Sequence, residues 1–228
     1  SRLGGRFIAS HIRIPDGGPV PDYEHYHRVR FQMIYCYRGW VRVVYEDQGE
    51  PFVLEAGDCV LQPPTIRHRV LESSPGLEVI EIGCPALHET HRDLDIELPT
   101  GLVDRQRSFE GQRFVRHVAR EASFSSSVVP GFEARAIGLD SATDGLAEAR
   151  VARLVEPTSE WISHDAEFHF TFVLEGEATL EFEGEPALRL TTGDAVTIPA
   201  DEGHRWGPVS ADFELLEVSL PARPRFSS

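Results

Sequence analysis

The sequence predicts an all-β protein built from two homologous domains in tandem. Three observations carry that reading. Short runs rich in β-branched and aromatic residues recur along the whole chain, among them FQMIYCY at 31–37, WVRVVYE at 40–46, EVIEI at 78–82, FHFTFVL at 168–174, ATLEFE at 178–183 and FELLEVSL at 213–220. Each is bounded by Gly, Pro, Asp or Ser, the punctuation expected of a sandwich or barrel. Second, the chain repeats itself. FQMIYCYRG at 31–39 matches FHFTFVLEG at 168–176, and GEP recurs at 49–51 and 184–186. GDCVLQPPTIRH at 57–68 matches GDAVTIPADEGH at 193–204, and EVIEIGCP at 78–85 matches ELLEVSLP at 214–221. The anchors keep their order at offsets of 135 to 137 residues, which marks two copies of one unit. Third, only 86–96 and 113–122 carry a helical reading, and it is weak in both.

Taken in order, the chain divides into an N-terminal domain over 1–96, a polar linker over 97–111 and a C-terminal domain over 112–228. Each domain is near the usual size for an independently packed unit. Hydrophobic residues make up 41% of the 228, enough for a core in each half. The balance of 22 Lys plus Arg against 37 Asp plus Glu gives a formal charge of −15. That argues against nucleic acid and against an anionic membrane surface as partners. Every cation is an arginine, because the chain has no lysine, so Schiff-base and P-loop chemistry are excluded. Three cysteines, Cys36, Cys59 and Cys84, are too few and too widely spaced for a disulfide framework, which points to a reducing compartment and the cytoplasm. No apolar run reaches the roughly 20 residues of a membrane span.

The histidines concentrate the chemistry. His25 and His27 stand two apart, so an extended strand presents both imidazoles on one face. Gln32 follows, and His68 comes just after the turn that Pro63 and Pro64 signal. Imidazoles converging from strands suit a transition metal. The arrangement His25-x-His27-x4-Gln32-x6-Gly39 with Gly57-x5-Pro63-x4-His68 resembles the two-part motif of the cupin superfamily. A second copy reads His164-x4-His169-x6-Gly176 with Gly193-x5-Pro199-x4-His204. The chain therefore resembles a bicupin over nearly its whole length. The resemblance implies two double-stranded β-helix (jelly-roll) barrels, each able to hold a metal inside.

By that resemblance the metal ligands are His25, His27, Gln32 and His68 in the first domain, and His164, His169 and His204 in the second. The implied ion is a divalent transition metal, iron first, with zinc, nickel, manganese or cobalt as alternatives. Several positions depart from the motif. Gln32 replaces the usual Glu, Thr65 and Asp201 replace a Gly, Ile162 stands where a second-domain His would fall, and His169 takes the Glu position. All four ligands of the first site are neutral, which leaves a bound dication nearly its full charge.

The function expected is a metal-dependent enzyme acting on a small organic molecule, first of all a non-haem Fe(II) dioxygenase. A cupin-type isomerase or decarboxylase is the runner-up, and a non-catalytic small-molecule binding bicupin is the alternative from another class. A metal-free epimerase would need a tyrosine acid in the cavity, and Tyr35 and Tyr37 have the wrong parity for one. Among the remaining residues, His11, His88, His91 and His117 lie outside the motifs, His88 and His91 read as part of a surface helix or linker, and Cys36 as a small core residue. Arg67 and Arg69 flank His68 on the opposite face, and Glu81 and Glu217 match across the repeat. Edge strands of such barrels often pair between chains, which leaves room for a homodimer.

Overall fold

The computed structural model describes residues 5–227, and these form two compact units that divide between Glu121 and Ala122. Both are antiparallel β-structures, with helix confined to two short 3-10 turns, Ala119–Glu121 and Asp140–Ala142. Among the described residues no helix is long and apolar enough to cross a membrane.

In the first unit a five-stranded sheet runs in the order Ile8–Ile14, Leu77–Cys84, Phe31–Arg38, Cys59–Leu61, Val115–His117. A second sheet runs Thr90–Arg92, His25–His27, His68–Ser73, Trp40–Tyr45, Phe52–Glu55. Strand Phe31–Arg38 is buried at seven of its eight positions or nearly so, which explains why its sequence is almost continuously apolar rather than alternating. The core between the sheets holds Cys36, Val43, Leu54, Val60, Leu77 and Val79. Cys36 lies inside as alternation predicts, and burial, followed by the nearby Asp58 and Glu55, pushes its thiol up to about 12. It is a core residue rather than a reactive one.

The second unit repeats the plan. A six-stranded sheet runs Ser125–Ser126, Phe132–Ala136, Glu148–Leu154, Glu214–Leu220, Phe168–Glu175, Ala195–Thr197, and a three-stranded sheet runs Leu188–Thr191, Glu177–Phe182, His204–Val209. Trp206, Leu180, Phe213 and Leu215 centre its core. The repeat reaches down to single turns. Gly39 and Gly176 both have positive φ, 74° and 77°. A Cβ on Gly39 would lie 2.3 Å from Ser74 Oγ, and one on Gly176 would lie 2.4 Å from Ser210 Oγ. These serines accept the N–H of the residue after each glycine, Trp40 at 3.0 Å and Glu177 at 2.9 Å. Only glycine fits the close approach that closes each hairpin.

Two expectations differ from the structure. Neither weak helical segment is an α-helix: Thr90–Arg92 pairs with His25–His27, and Val115–His117 pairs with Cys59–Leu61. Unsatisfied strand edges outweigh a marginal local propensity. The segment expected as a linker, 97–111, is bound to the first unit. The Thr100 hydroxyl donates to Asp47 at 2.7 Å, Arg107 pairs with Glu46 at 2.9 Å and with Asp47, and Phe109 is buried. The first unit accordingly extends 25 residues beyond the expected boundary at 96, to Glu121.

Candidate metal centre

The first unit brings His25, His27 and His68 together, with one ring nitrogen of each within 4.8 Å of the others. Strand pairing does this directly, because His25 and His68 are register partners on neighbouring strands. His27 is held from the turn behind it: the N–H of Thr65 donates to the His27 carbonyl at 2.9 Å. Thr65 has φ of 65°, the left-handed conformation for which the cupin motif uses glycine. A β-branched residue there is strained, and such strain concentrates at functional sites. The second unit repeats the contact, with Asp201 at φ of 61° and its N–H on the His164 carbonyl at 2.8 Å.

Orientation of the three rings follows from their Nδ1 atoms. His25 Nδ1 donates to the Tyr23 carbonyl at 2.8 Å, and His68 Nδ1 to the Ile66 carbonyl at 3.1 Å. His27 Nδ1 meets the Thr90 hydroxyl at 3.3 Å. With Nδ1 taken on each ring, Nε2 is the nitrogen left for a ligand, the tautomer arrangement typical of metal-bound imidazoles. Burial and the neighbouring His25 push His27 down to about 4 and His68 down to about 3. Both are neutral near pH 7, as coordination requires. The residues present therefore fit a divalent ion. Thr90→Val is expected to lower metal affinity by about 10-fold, since it removes the hydroxyl partner of His27 and leaves the Glu89 backbone contact; equilibrium metal titration of the variant checks this.

Gln32 sits elsewhere in the network than expected. Its Nε2 donates to Glu81 at 2.6 Å, and its Oε1 accepts from Gln62 Nε2 at 3.3 Å. The amide that touches an imidazole is Gln62, whose Nε2 lies 3.2 Å from His68 Nε2 and whose Oε1 accepts from the Tyr45 hydroxyl at 2.9 Å. Glu81 can only accept while ionised, so Gln32 turns its NH2 to it and its carbonyl to Gln62, and both amides are thereby oriented. Gln32, Gln62, Tyr45 and His68 are all buried. Tyr45 supplies the interior tyrosine that Tyr35 and Tyr37 do not, but burial, with Cys59 and Glu81 nearby, raises its hydroxyl above the ordinary tyrosine range. It is poorly suited to act as an acid or base near neutrality.

The sequence reading also passed over His88. It stands on the segment after strand Leu77–Cys84, with its ring 5.3 Å from that of His27. Nearby, His91 stacks on Tyr26 at 5.1 Å. The tertiary pairing of Thr90–Arg92 with His25–His27 brings these rings to the cluster, and no local spacing signals it. Arg67 and Arg69 do point away, to Asp93 at 2.9 Å and Glu24 at 3.3 Å.

The second cluster has other properties. His164, His169 and His204 are buried and close, with ring separations of 4.5 Å and 5.8 Å from His164 to the other two. His164 Nδ1, however, accepts the N–H of Ala166 at 3.2 Å. A neutral His164 then carries its proton on Nε2 and presents a donor where a ligand needs a lone pair. His169 Nε2 faces Glu217 at 3.5 Å, and His204 Nδ1 bonds the Glu202 carbonyl at 3.0 Å. The three rings thus offer two lone pairs and one N–H, and His169 and His204 line a cavity of about 10 Å³. That set differs from the first cluster, where Nδ1 of every ring is bonded outward. Ile162, where the first His of the motif would fall, lines the same space. As held here, the expected second-domain set of His164, His169 and His204 offers two lone pairs rather than three. Asp165, between two of these histidines in sequence, is tied to Arg225 at 2.6 Å.

The chain belongs to the cupin domain family, whose pattern matches residues 10–82 and 154–219, one match in each unit. Solved structures agree on the architecture. Salicylate 1,2-dioxygenase from Pseudaminobacter salicylatoxidans is 14% identical, with 98% of this chain and 75% of that one covered at a TM-score of 0.75. Bacillus subtilis oxalate decarboxylase, in a structure concerned with its Mn(II) centres, is 14% identical, with 100% of this chain and 72% of that one covered at a TM-score of 0.70. At this identity the likeness is one of fold, that of two-barrel cupins. No curated protein matches the chain by sequence.

Proposed function

We propose that the protein is a metal-dependent cupin enzyme, with one divalent ion held by His25, His27 and His68 and a small organic molecule as substrate. The observation that carries this is the set of three imidazoles whose Nδ1 atoms are bonded outward and whose Nε2 atoms are left to converge. When bound, the ion supplies Lewis-acid polarisation of a substrate oxygen and a place to hold a second reactant. Dioxygenase chemistry with iron is the first reading. The chain's own contribution is a pair of buried amides beside the imidazoles. Gln62 donates one amide hydrogen to Gln32 and directs the other at His68 Nε2. With His68 Nε2 serving as a ligand, that second hydrogen would be free to orient an oxygen of the substrate. Glu81 keeps both amides in the register this needs.

Isomerase or decarboxylase chemistry is the second reading. It is favoured by the same neutral ligand set, which leaves the full charge of the ion to polarise a carboxylate or enol. Metal content of untagged protein purified without chelators, followed by an oxygen-electrode screen with enols, diketones, catechols and small carboxylic acids, separates the two. Stoichiometric iron with oxygen uptake equal to substrate loss is the expected result. Turnover that continues without oxygen would select the second reading. Failure to bind any divalent ion after reconstitution would sink both and leave a binding protein.

A further inference from the structure

The first unit has another concavity, of about 470 Å³, lined by Gln48, Phe52, Arg105, Phe114, Arg116 and Arg120. The volume lies within the range of small-molecule sites. Its floor is aromatic: the rings of Phe52 and Phe114 lie 6.3 Å apart at 62°. Its wall is cationic. The Arg116 guanidinium lies 4.1 Å above the Phe52 ring and donates to the Val53 carbonyl at 3.3 Å. Among the described residues neither Arg105 nor Arg116 has a carboxylate partner, although the chain carries 37 acidic residues against 22 basic ones. Arg120 reaches Glu55 only at 3.5 Å, with both side chains largely exposed, a weak pair. Glu121 is the single carboxylate of the lining. Three guanidiniums and two phenyl rings thus line one concavity, a local reversal of charge in an acidic protein.

This concavity is separate from the imidazole cluster. Phe114 packs on Tyr45 at 4.6 Å, and Tyr45 stacks with His68 at 5.5 Å. Tyr45 is buried, and neither it nor His25, His27 or His68 lines the concavity.

We propose that this pocket is a second ligand site, for a planar organic carboxylate whose ring packs against Phe114 beside the Arg116-covered Phe52 while its carboxylate meets Arg105 and Arg116. Guanidinium matches carboxylate in a planar, bidentate contact, and the phenyl floor selects an apolar, flat body over a bare anion. The probes are sodium 2-naphthoate, 2-naphthamide and inorganic phosphate, titrated calorimetrically into the full chain. Naphthoate is expected to saturate one site, at least tenfold more tightly than the amide or phosphate, and to weaken as salt is raised. Arg105 and Arg116 are exposed, so the double variant Arg105→Ala/Arg116→Ala should fold, which circular dichroism checks. Binding is expected to fall at least tenfold in it and to persist in His68→Ala. Three results would overturn the proposal: no saturable binding, binding unchanged in the double arginine variant, or phosphate bound as well as naphthoate. Loss in His68→Ala alone would place the naphthoate on the imidazole cluster and overturn it equally.

Discussion

His68→Ala protein is expected to retain less than a tenth of the metal of the parent chain, and to lose turnover by at least 100-fold. His68 supplies one of three converging nitrogens, and even an outer-shell partner of such a ligand is worth about 10- to 100-fold in affinity. Truncation leaves the Gln62 amide and the Ile66 carbonyl short of a partner, at a cost of about 1–3 kcal/mol, which a domain of ordinary stability tolerates. Loss of the site is therefore separable from loss of the fold. The paired control is His204→Ala. His204 occupies the matched position of the second barrel, yet the tautomer of His164 leaves that cluster with a donor among its lone pairs. Elemental analysis is expected to give one ion per chain for the parent, one for His204→Ala, and almost none for His68→Ala. Metal retained by His68→Ala, or lost equally from His204→Ala, would place the centre elsewhere.

The contrast between these two histidines shows where sequence reading stops. The repeat, the strand runs and the glycines at 39 and 176 are local or periodic signals, and they were legible because strand and turn chemistry is written residue by residue. His25, His27 and His68 were legible for the same reason, since spacing within a strand fixes the face. His164, His169 and His204 were equally visible, but metal binding depends on which ring nitrogen carries the proton. That is set by a single backbone N–H, at Ala166, which no motif specifies. Gln62 was hidden because the matched position in the second copy is Ile198, so the repeat gave it no emphasis. His88 and Tyr45 reach the cluster through long-range pairing of strands, and the boundary at Glu121 depends on ion pairs from Arg107 back to Glu46 and Asp47.

Glu81 and Glu217 illustrate the same limit and lead to the second large effect. They match across the repeat, and each holds the residue at the motif's Glu position, Gln32 at 2.6 Å and His169 at 3.5 Å. Only Glu217 is also paired with an arginine, Arg150, whose Nε lies 2.6 Å from it. Burial alone would raise its pKa, but Arg150 and His169 overcome that and hold it down to about 2. A carboxylate whose folded pKa lies below its unfolded value contributes stability above the unfolded pKa of 4.5, and that stability is lost as pH falls through about 2. The shift corresponds to about 3 kcal/mol. His164, pushed down to about 3 by burial and the neighbouring His169 and His204, acts in the same direction. The unfolded chain takes up its proton near 6.5 and the folded barrel does not, so stability falls as pH drops from 6.5 toward 3. Glu217→Gln keeps the volume but leaves the Arg150 guanidinium, with its side chain 19% exposed, without its countercharge. The expected cost at pH 7 is about 3–5 kcal/mol. Glu81→Gln keeps a carbonyl acceptor for the Gln32 amide and leaves no cation unpaired, and its expected cost is about 1 kcal/mol. Urea unfolding in a Trp40→Phe background, where Trp161 and the buried Trp206 report on the second unit, measures the first cost directly. A Glu217→Gln loss no larger than that of Glu81→Gln would mean that the Arg150 pair contributes little. Below about pH 2, where Glu217 is protonated in the parent as well, the two proteins should converge.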